Sequence, residues 1–168
     1  FKFFLFFRDE ISVDTVNGLV QKLQAEAGPI SLWFSTNGGT SSAMEFLMTY
    51  LNSRAEEITI TLTDKIYSAG TQILTDFNGT IEIKELDSIL FHVADRETYN
   101  FRKDSYSADF KIISKQDRAY NLRCAAKFKQ RNLLTDKQIK DFLRGKDVVI
   151  YQEQFLKYNL NYSEKIFC

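Results

Sequence analysis

ISLWFSTNGGTSSAMEFLMTYLNSRAEEITITLTDKIYSAGTQIL, residues 30–74, runs through one pattern twice. An apolar run, ISLWFS, ends in the turn TNGGT and passes into a stretch of helical spacing. Ala43, Phe46, Leu47, Tyr50 and Leu51 form its expected stripe, with Thr40 its expected cap. A second run, ITITLT, sets Ile58, Ile60 and Leu62 on one face and threonines on the other, then leads to a helix expected over Tyr67 to Phe77. Working outward, Phe3 to Phe7 read as a strand covered on both faces. Val13, Val16, Val20 and Leu23 recur at helical spacing behind a capping Ser12, and Gly28-Pro29 breaks the chain before residue 30.

Beyond residue 74, two short strands are expected around Ile81 and Ile89. Residues 93–114 are polar with scattered aromatics (Tyr99, Phe101, Tyr106, Phe110). A helix resumes near Gln116 and runs through LRCAAKFKQ. Thr135 caps another, with Ile139, Phe142 and Leu143 on its apolar side, and VVIYQEQFLKYNL reads as a strand followed by a helix. Strands alternating with helices across short turns predict an α/β fold of repeated βαβ units. Its sheet is mainly parallel, C-terminal helices follow, and the whole is one domain over 1–168.

Lysine plus arginine equals aspartate plus glutamate at 22 each, so no net charge draws the chain to nucleic acid or an anionic membrane. The opening FKFFLFF is too short for a signal segment or a membrane span. One histidine, His92, excludes a multi-histidine metal centre, and no cofactor motif is present. The two cysteines, Cys124 and Cys168, make no disulfide framework; a reducing, cytoplasmic setting is expected.

In parallel α/β sheets, functional groups gather at the carboxyl ends of strands. Three such ends carry chemistry. Asn37-Gly38-Gly39 follows ISLWFS, and paired glycines let a backbone approach a ligand closely. Ser68, in Tyr67-Ser68-Ala69-Gly70, stands where a helix dipole favours negative charge. His92 ends the strand SILFH and is the chain's only imidazole. Read singly, each has an ordinary alternative: a turn, a capping serine, a structural histidine.

Their order is more telling. From Phe3 to His92 the chain resembles the Clp peptidase core, a branch of the Clp/crotonase fold. SLWFSTNGGTSSAMEFL is similar to that family's strand, Ser-Pro-Gly-Gly turn and helix. ITITLTDKIYSAGTQIL is similar to the strand and helix that carry its nucleophile, and SILFH to the strand that carries its histidine. The resemblance implies a serine endopeptidase with Ser68 as nucleophile, His92 as base and backbone amides of Gly39 and Ala69 as oxyanion hole. It puts the acid in KDVVIYQEQFLKYNL, at Asp147, with Asp141 and Asp95 as rivals. It also implies peptide or unfolded-protein substrates, a homo-oligomeric ring (seven subunits, two rings stacked) and an AAA+ unfoldase as partner.

The sequence departs from the family at several points. Asn37 replaces the turn's proline, and Asp64-Lys65-Ile66-Tyr67 replaces small residues ahead of the serine. Val93-Ala94 follows the histidine in place of Gln-Pro, and residues 95–114 lack the glycine-rich substrate clamp. Two other readings therefore stand beside the peptidase: a non-catalytic Clp-like assembly or regulatory subunit, and a crotonase-type acyl-CoA enzyme.

Overall fold

A computed structural model describes residues 2–93 and 115–154, without the side chains of 115–117. Asp95, the segment 94–114 with its aromatics, and residues 155–168 lie outside the described residues. The chain divides into two compact units, Phe1–Leu90 with Val149–Cys168, and Phe91–Val148.

The first unit is built on strands β1 (Phe3–Arg8), β2 (Ile30–Thr36), β3 (Ile58–Tyr67) and β4 (Thr80–Phe91), with β5 (Val148–Tyr151) entering it from the second unit. They lie in the order β1-β2-β3-β4-β5, and the first three pairings are parallel. Helix α1 (Val13–Gln24) links β1 to β2 and α2 (Ser41–Ser53) links β2 to β3. A 3₁₀ turn (Ser68–Thr71) and the short helix α3 (Gln72–Asp76) link β3 to β4. These are the expected βαβ crossovers.

β2 is buried along nearly its whole length, and Leu32, Phe34, Ile60 and Leu62 are wholly inaccessible. Each such side chain contributes on the order of 1.5–3 kcal/mol by leaving water. Ser12 caps α1 as its sequence predicts: Ser12 Oγ accepts from Thr15 N–H, and Thr15 Oγ1 accepts from Ser12 N–H. Arg54 ties the ends of α1 and α2 together. Its guanidinium donates to the carbonyls of Leu23 (2.6 Å) and Glu26 (2.9 Å), to the Tyr50 hydroxyl (3.1 Å) and to Glu57 (2.7 Å). Asn52 likewise fixes the start of β4, donating to Asp76 C=O and accepting from Asn78 N–H.

Four expectations need correction. β1 is an edge strand with one face open: Phe4 and Phe6 are 54% and 62% exposed, because its apolar run meets a helical layer on one side only among the described residues. The α2 stripe is turned, burying Met44 and Met48 beside Ala43, Leu47 and Leu51 while Phe46 is exposed. In α1, Val13 is exposed and Leu19 takes its place in the core. The two short strands around Ile81 and Ile89 are one twelve-residue strand, β4, since pairing with β3 continues through the polar middle. Register shifts at Asp64 absorb the break, with Asp64 (φ 58°) and Glu85 (φ 52°) in left-handed conformations.

The second unit holds α4 (Lys115–Gln130) and α5 (Asp136–Leu143). Both helices stand where the sequence put them, and Thr135 caps α5 in a capping box with Gln138. Phe128 packs edge-on against both Phe91 (4.8 Å) and Phe142 (5.0 Å), with Leu133 buried beside them. Of the expected α5 stripe only Phe142 is fully buried.

Candidate active site

Candidate residues occur in each of the two units, and each unit's set is described by itself. In the first, β2 and β3 run parallel with Thr36 opposite Ile66, so the turns that follow them leave the sheet at the same end. The glycine turn is stitched down on both sides. Gly38 N–H donates to Thr36 Oγ1 (3.0 Å), and Gly38 C=O accepts from Ile11 N–H (2.8 Å). Ile11 C=O in turn accepts from Thr40 N–H (2.8 Å). This is where the Thr40 amide is used; the Thr40 hydroxyl makes no capping bond to α2, contrary to expectation.

Gly38 has φ +103°, and a Cβ there would stand 2.6 Å from Ser68 Cβ and 3.1 Å from Ser68 Oγ. The nucleophile candidate therefore packs directly on the bare glycine. Ser68 has φ +58°, in the left-handed region that costs a non-glycine residue about 1–2 kcal/mol. Its carbonyl is held by the Thr71 hydroxyl at 2.7 Å. The helix expected over Tyr67 to Phe77 is shorter and starts with a 3₁₀ turn, so the dipole behind Ser68 is weaker than its sequence implies. Ala69 lies in that first turn, whose amides have no intrahelical partner. Gly39 is exposed, and its N–H makes no hydrogen bond among the described residues. Tyr67 is half-buried, and its hydroxyl is engaged with Ser88 Oγ at 2.7 Å.

In the second unit, His92 follows β4 and is one-third exposed; its Nδ1 lies 3.9 Å from Asp147 Oδ1. That is ion-pair reach but not hydrogen-bond distance. Asp141 is engaged elsewhere. Its carboxylate accepts from Lys137 Nζ (3.2 Å) and faces Lys146 Nζ (3.9 Å). The Lys137 bond, aided by the charges of Lys137, Lys146 and Arg144, holds the Asp141 carboxyl below its ordinary range against the opposing effect of desolvation. Of the two described candidates for the acid, Asp147 is the one set beside His92. Among the described residues no helix is long and apolar enough to cross a membrane, and no group of three or more metal-ligating side chains occurs.

No family model matches the chain, and no curated protein matches it by sequence. Solved structures do. A mutant of ClpP1 from Listeria monocytogenes superposes with a TM-score of 0.62 at 16% identity, covering 93% of this chain and 86% of that one. The fold is Clp-like.

Sequence reading missed two residues that shape the glycine turn. Ile11 is 1% exposed and bridges to Gly39, where a Cβ would fall onto the Ile11 carbonyl. Its one signal is an isolated apolar residue in the polar stretch Arg8–Ser12. Thr36, the last residue of β2, had a signal too, as a β-branched polar residue closing a strand just before paired glycines.

Proposed function

We propose that the chain is a serine endopeptidase subunit in which Ser68, His92 and Asp147 serve as nucleophile, base and acid. The observation that carries this reading is Ser68 itself: a non-glycine residue in a left-handed backbone, at the head of a helical turn, seated against Gly38. Strain of this kind persists where the surrounding structure over-determines it, and it concentrates at functional sites.

In this mechanism Ser68 Oγ attacks the scissile carbonyl carbon while His92 takes its proton. The C–N bond then breaks as the leaving amine receives that proton, and water repeats the sequence to release the acyl group. Asp147 lies on the Nδ1 side of His92, which supports a reading in which Nε2 serves the serine and the carboxylate steadies the imidazolium. The reading requires the 3.9 Å separation to close to about 2.9 Å in the working complex. The amides of Gly39 and Ala69 would take the oxyanion; losing one such donor typically costs about 100- to 1,000-fold in turnover. Peptides or unfolded chains are the proposed substrates. A ring of like subunits served by an AAA+ unfoldase is the proposed assembly, consistent with the Clp-like fold.

The test is intact-mass detection of fluorophosphonate labelling on the parent, Ser68→Ala and His92→Ala. One adduct on the parent, lost in both variants, is expected. A folded parent that takes no adduct refutes the reading and leaves the non-catalytic subunit in its place, the alternative that the residues around Ser68 suggest.

A further inference from the structure

Thr36 is 2% exposed and touches both turns of the candidate site with different atoms. Its Oγ1 accepts the Gly38 N–H at 3.0 Å. On its other side, Gly70 comes so close that a Cβ on that glycine would overlap Thr36 Cγ2. Gly38 packs in turn on Ser68. Three contacts, Thr36 with Gly38, Gly38 with Ser68 and Gly70 with Thr36, close into a circuit through the backbone of the Ser68–Thr71 turn, so the glycine turn and the serine turn are gauged against one side chain.

We propose that Thr36 is a positioning residue that sets Ser68 against the Gly38-Gly39 turn, an inference that rests on the serine-peptidase reading for its catalytic meaning. Two requirements fix the residue type. The hydroxyl is needed as acceptor, because Gly38 N–H is buried and would otherwise lose its partner. The methyl fills the space against Gly70, where a residue with a side chain does not fit. Because β-branching stiffens χ1, one backbone position holds both groups in fixed directions. The circuit offers a reason for the glycines as well. Gly38 leaves room for Ser68, and Gly70 leaves room for Thr36.

Two substitutions separate the two requirements. Thr36→Val keeps the branched shape and removes the acceptor, whereas Thr36→Ser keeps the acceptor and removes the methyl. In the full chain, Gly38 amide hydrogen exchange, the Ser68 Cα and Cβ chemical shifts, the melting temperature and the fluorophosphonate labelling rate are measured together. Thr36→Val is expected to exchange the Gly38 amide at least about tenfold faster, to move the Ser68 shifts and to slow labelling by about tenfold, the worth of roughly one net hydrogen bond. Thr36→Ser should recover most of the labelling rate even where its melting temperature falls as far. Unchanged Gly38 exchange in Thr36→Val, or labelling lost equally in the two variants, overturns the proposal. If the parent takes no label, the peptidase reading falls instead, and Gly38 exchange with the Ser68 shifts still decides whether Thr36 sets the serine turn.

Discussion

Replacing Gly38 by alanine should damage the protein in a way that separates close approach from backbone strain. At φ +103° an alanine is strained, by about 1–2 kcal/mol on the cost of left-handed backbone for an L-residue. Its Cβ would also stand 2.6 Å from Ser68 Cβ and 3.0 Å from Tyr67 C=O, and overpacking of that kind costs about 1–3 kcal/mol more. Gly28 supplies the control. Its φ is +92°, but nothing lies within 4 Å of an added Cβ, so Gly28→Ala carries the strain alone, about 1–2 kcal/mol. In a chain of this size each kcal/mol moves the melting temperature by about 2–4 °C. Gly38→Ala should therefore lower it by roughly 4–20 °C and Gly28→Ala by roughly 2–8 °C. Urea unfolding followed through Trp33 fluorescence gives the same comparison in free energy, and labelling of Ser68 should fall in Gly38→Ala alone. Equal stability losses with equal labelling would refute the claim that Ser68 is seated on Gly38.

Arg54→Met should lose about 2–3 kcal/mol in urea unfolding, because the carbonyls of Leu23 and Glu26 lose a charged donor; a loss under about 0.5 kcal/mol would show that water replaces it. Gly18 lies inside α1 with open space around it, so Gly18→Ala should stabilise the chain by about 0.5–1 kcal/mol, and a lower melting temperature would contradict that. Asp141 has its carboxyl held low by Lys137, so its pairing stabilises the fold above the ordinary aspartate value of 3.8 and is lost as pH falls through the lower folded value. The stability gap between the parent and Asp141→Asn should shrink below about pH 4, and a gap that is constant from pH 7 to pH 3 would exclude the pair as its source. Ser68→Gly should abolish labelling while raising stability by about 1 kcal/mol through relief of left-handed strain, and destabilisation would show the strain is not there.

The βαβ order was legible because periodicity reports which side of an element meets the core, and here α1 and β3 each carry a clear period while β2 is an apolar run closed by a glycine turn. Periodicity does not say how many layers cover a strand. Phe3–Phe7 therefore read as buried on both faces when Phe4 and Phe6 face outward. It is also blind to bulges, so the polar middle of β4 looked like a gap between strands. Methionines blur the α2 stripe in the same way, since Met44 and Met48 fill the core where the bulkier Phe46 and Tyr50 suggest a different face. Within the candidate site, the positions of Gly38-Gly39, Ser68 and His92 at strand ends were readable. The preference for Asp147 over Asp141 rested on the resemblance alone, because the 3.9 Å approach of Asp147 to His92 spans 55 residues and has no local signal, whereas the i,i+4 pair of Lys137 with Asp141 is written on α5.

The left-handed residues bear on why a serine stands at 68 at all. Among the described residues four non-glycines have positive φ: Asp64, Ser68, Glu85 and Asn132. Asn tolerates this conformation through its own side chain, and Asp does so nearly as well. Asp64 and Glu85 sit where the pairing of β3 with β4 slips, so the sheet dictates their backbone. Ser68 has no such excuse. It lies beyond the end of β3, at the start of a 3₁₀ turn, where glycine would take the same backbone at lower cost. The chain uses glycine freely nearby, at 38, 39 and 70, and in each case the missing Cβ makes way for a neighbour. At 68 the Cβ is present, strained, and given room by Gly38. A side chain kept under strain, with two glycines and a threonine arranged around its turn, is what the proposed nucleophile role of Ser68 would require, and Ser68→Gly separates that role from the making of the turn.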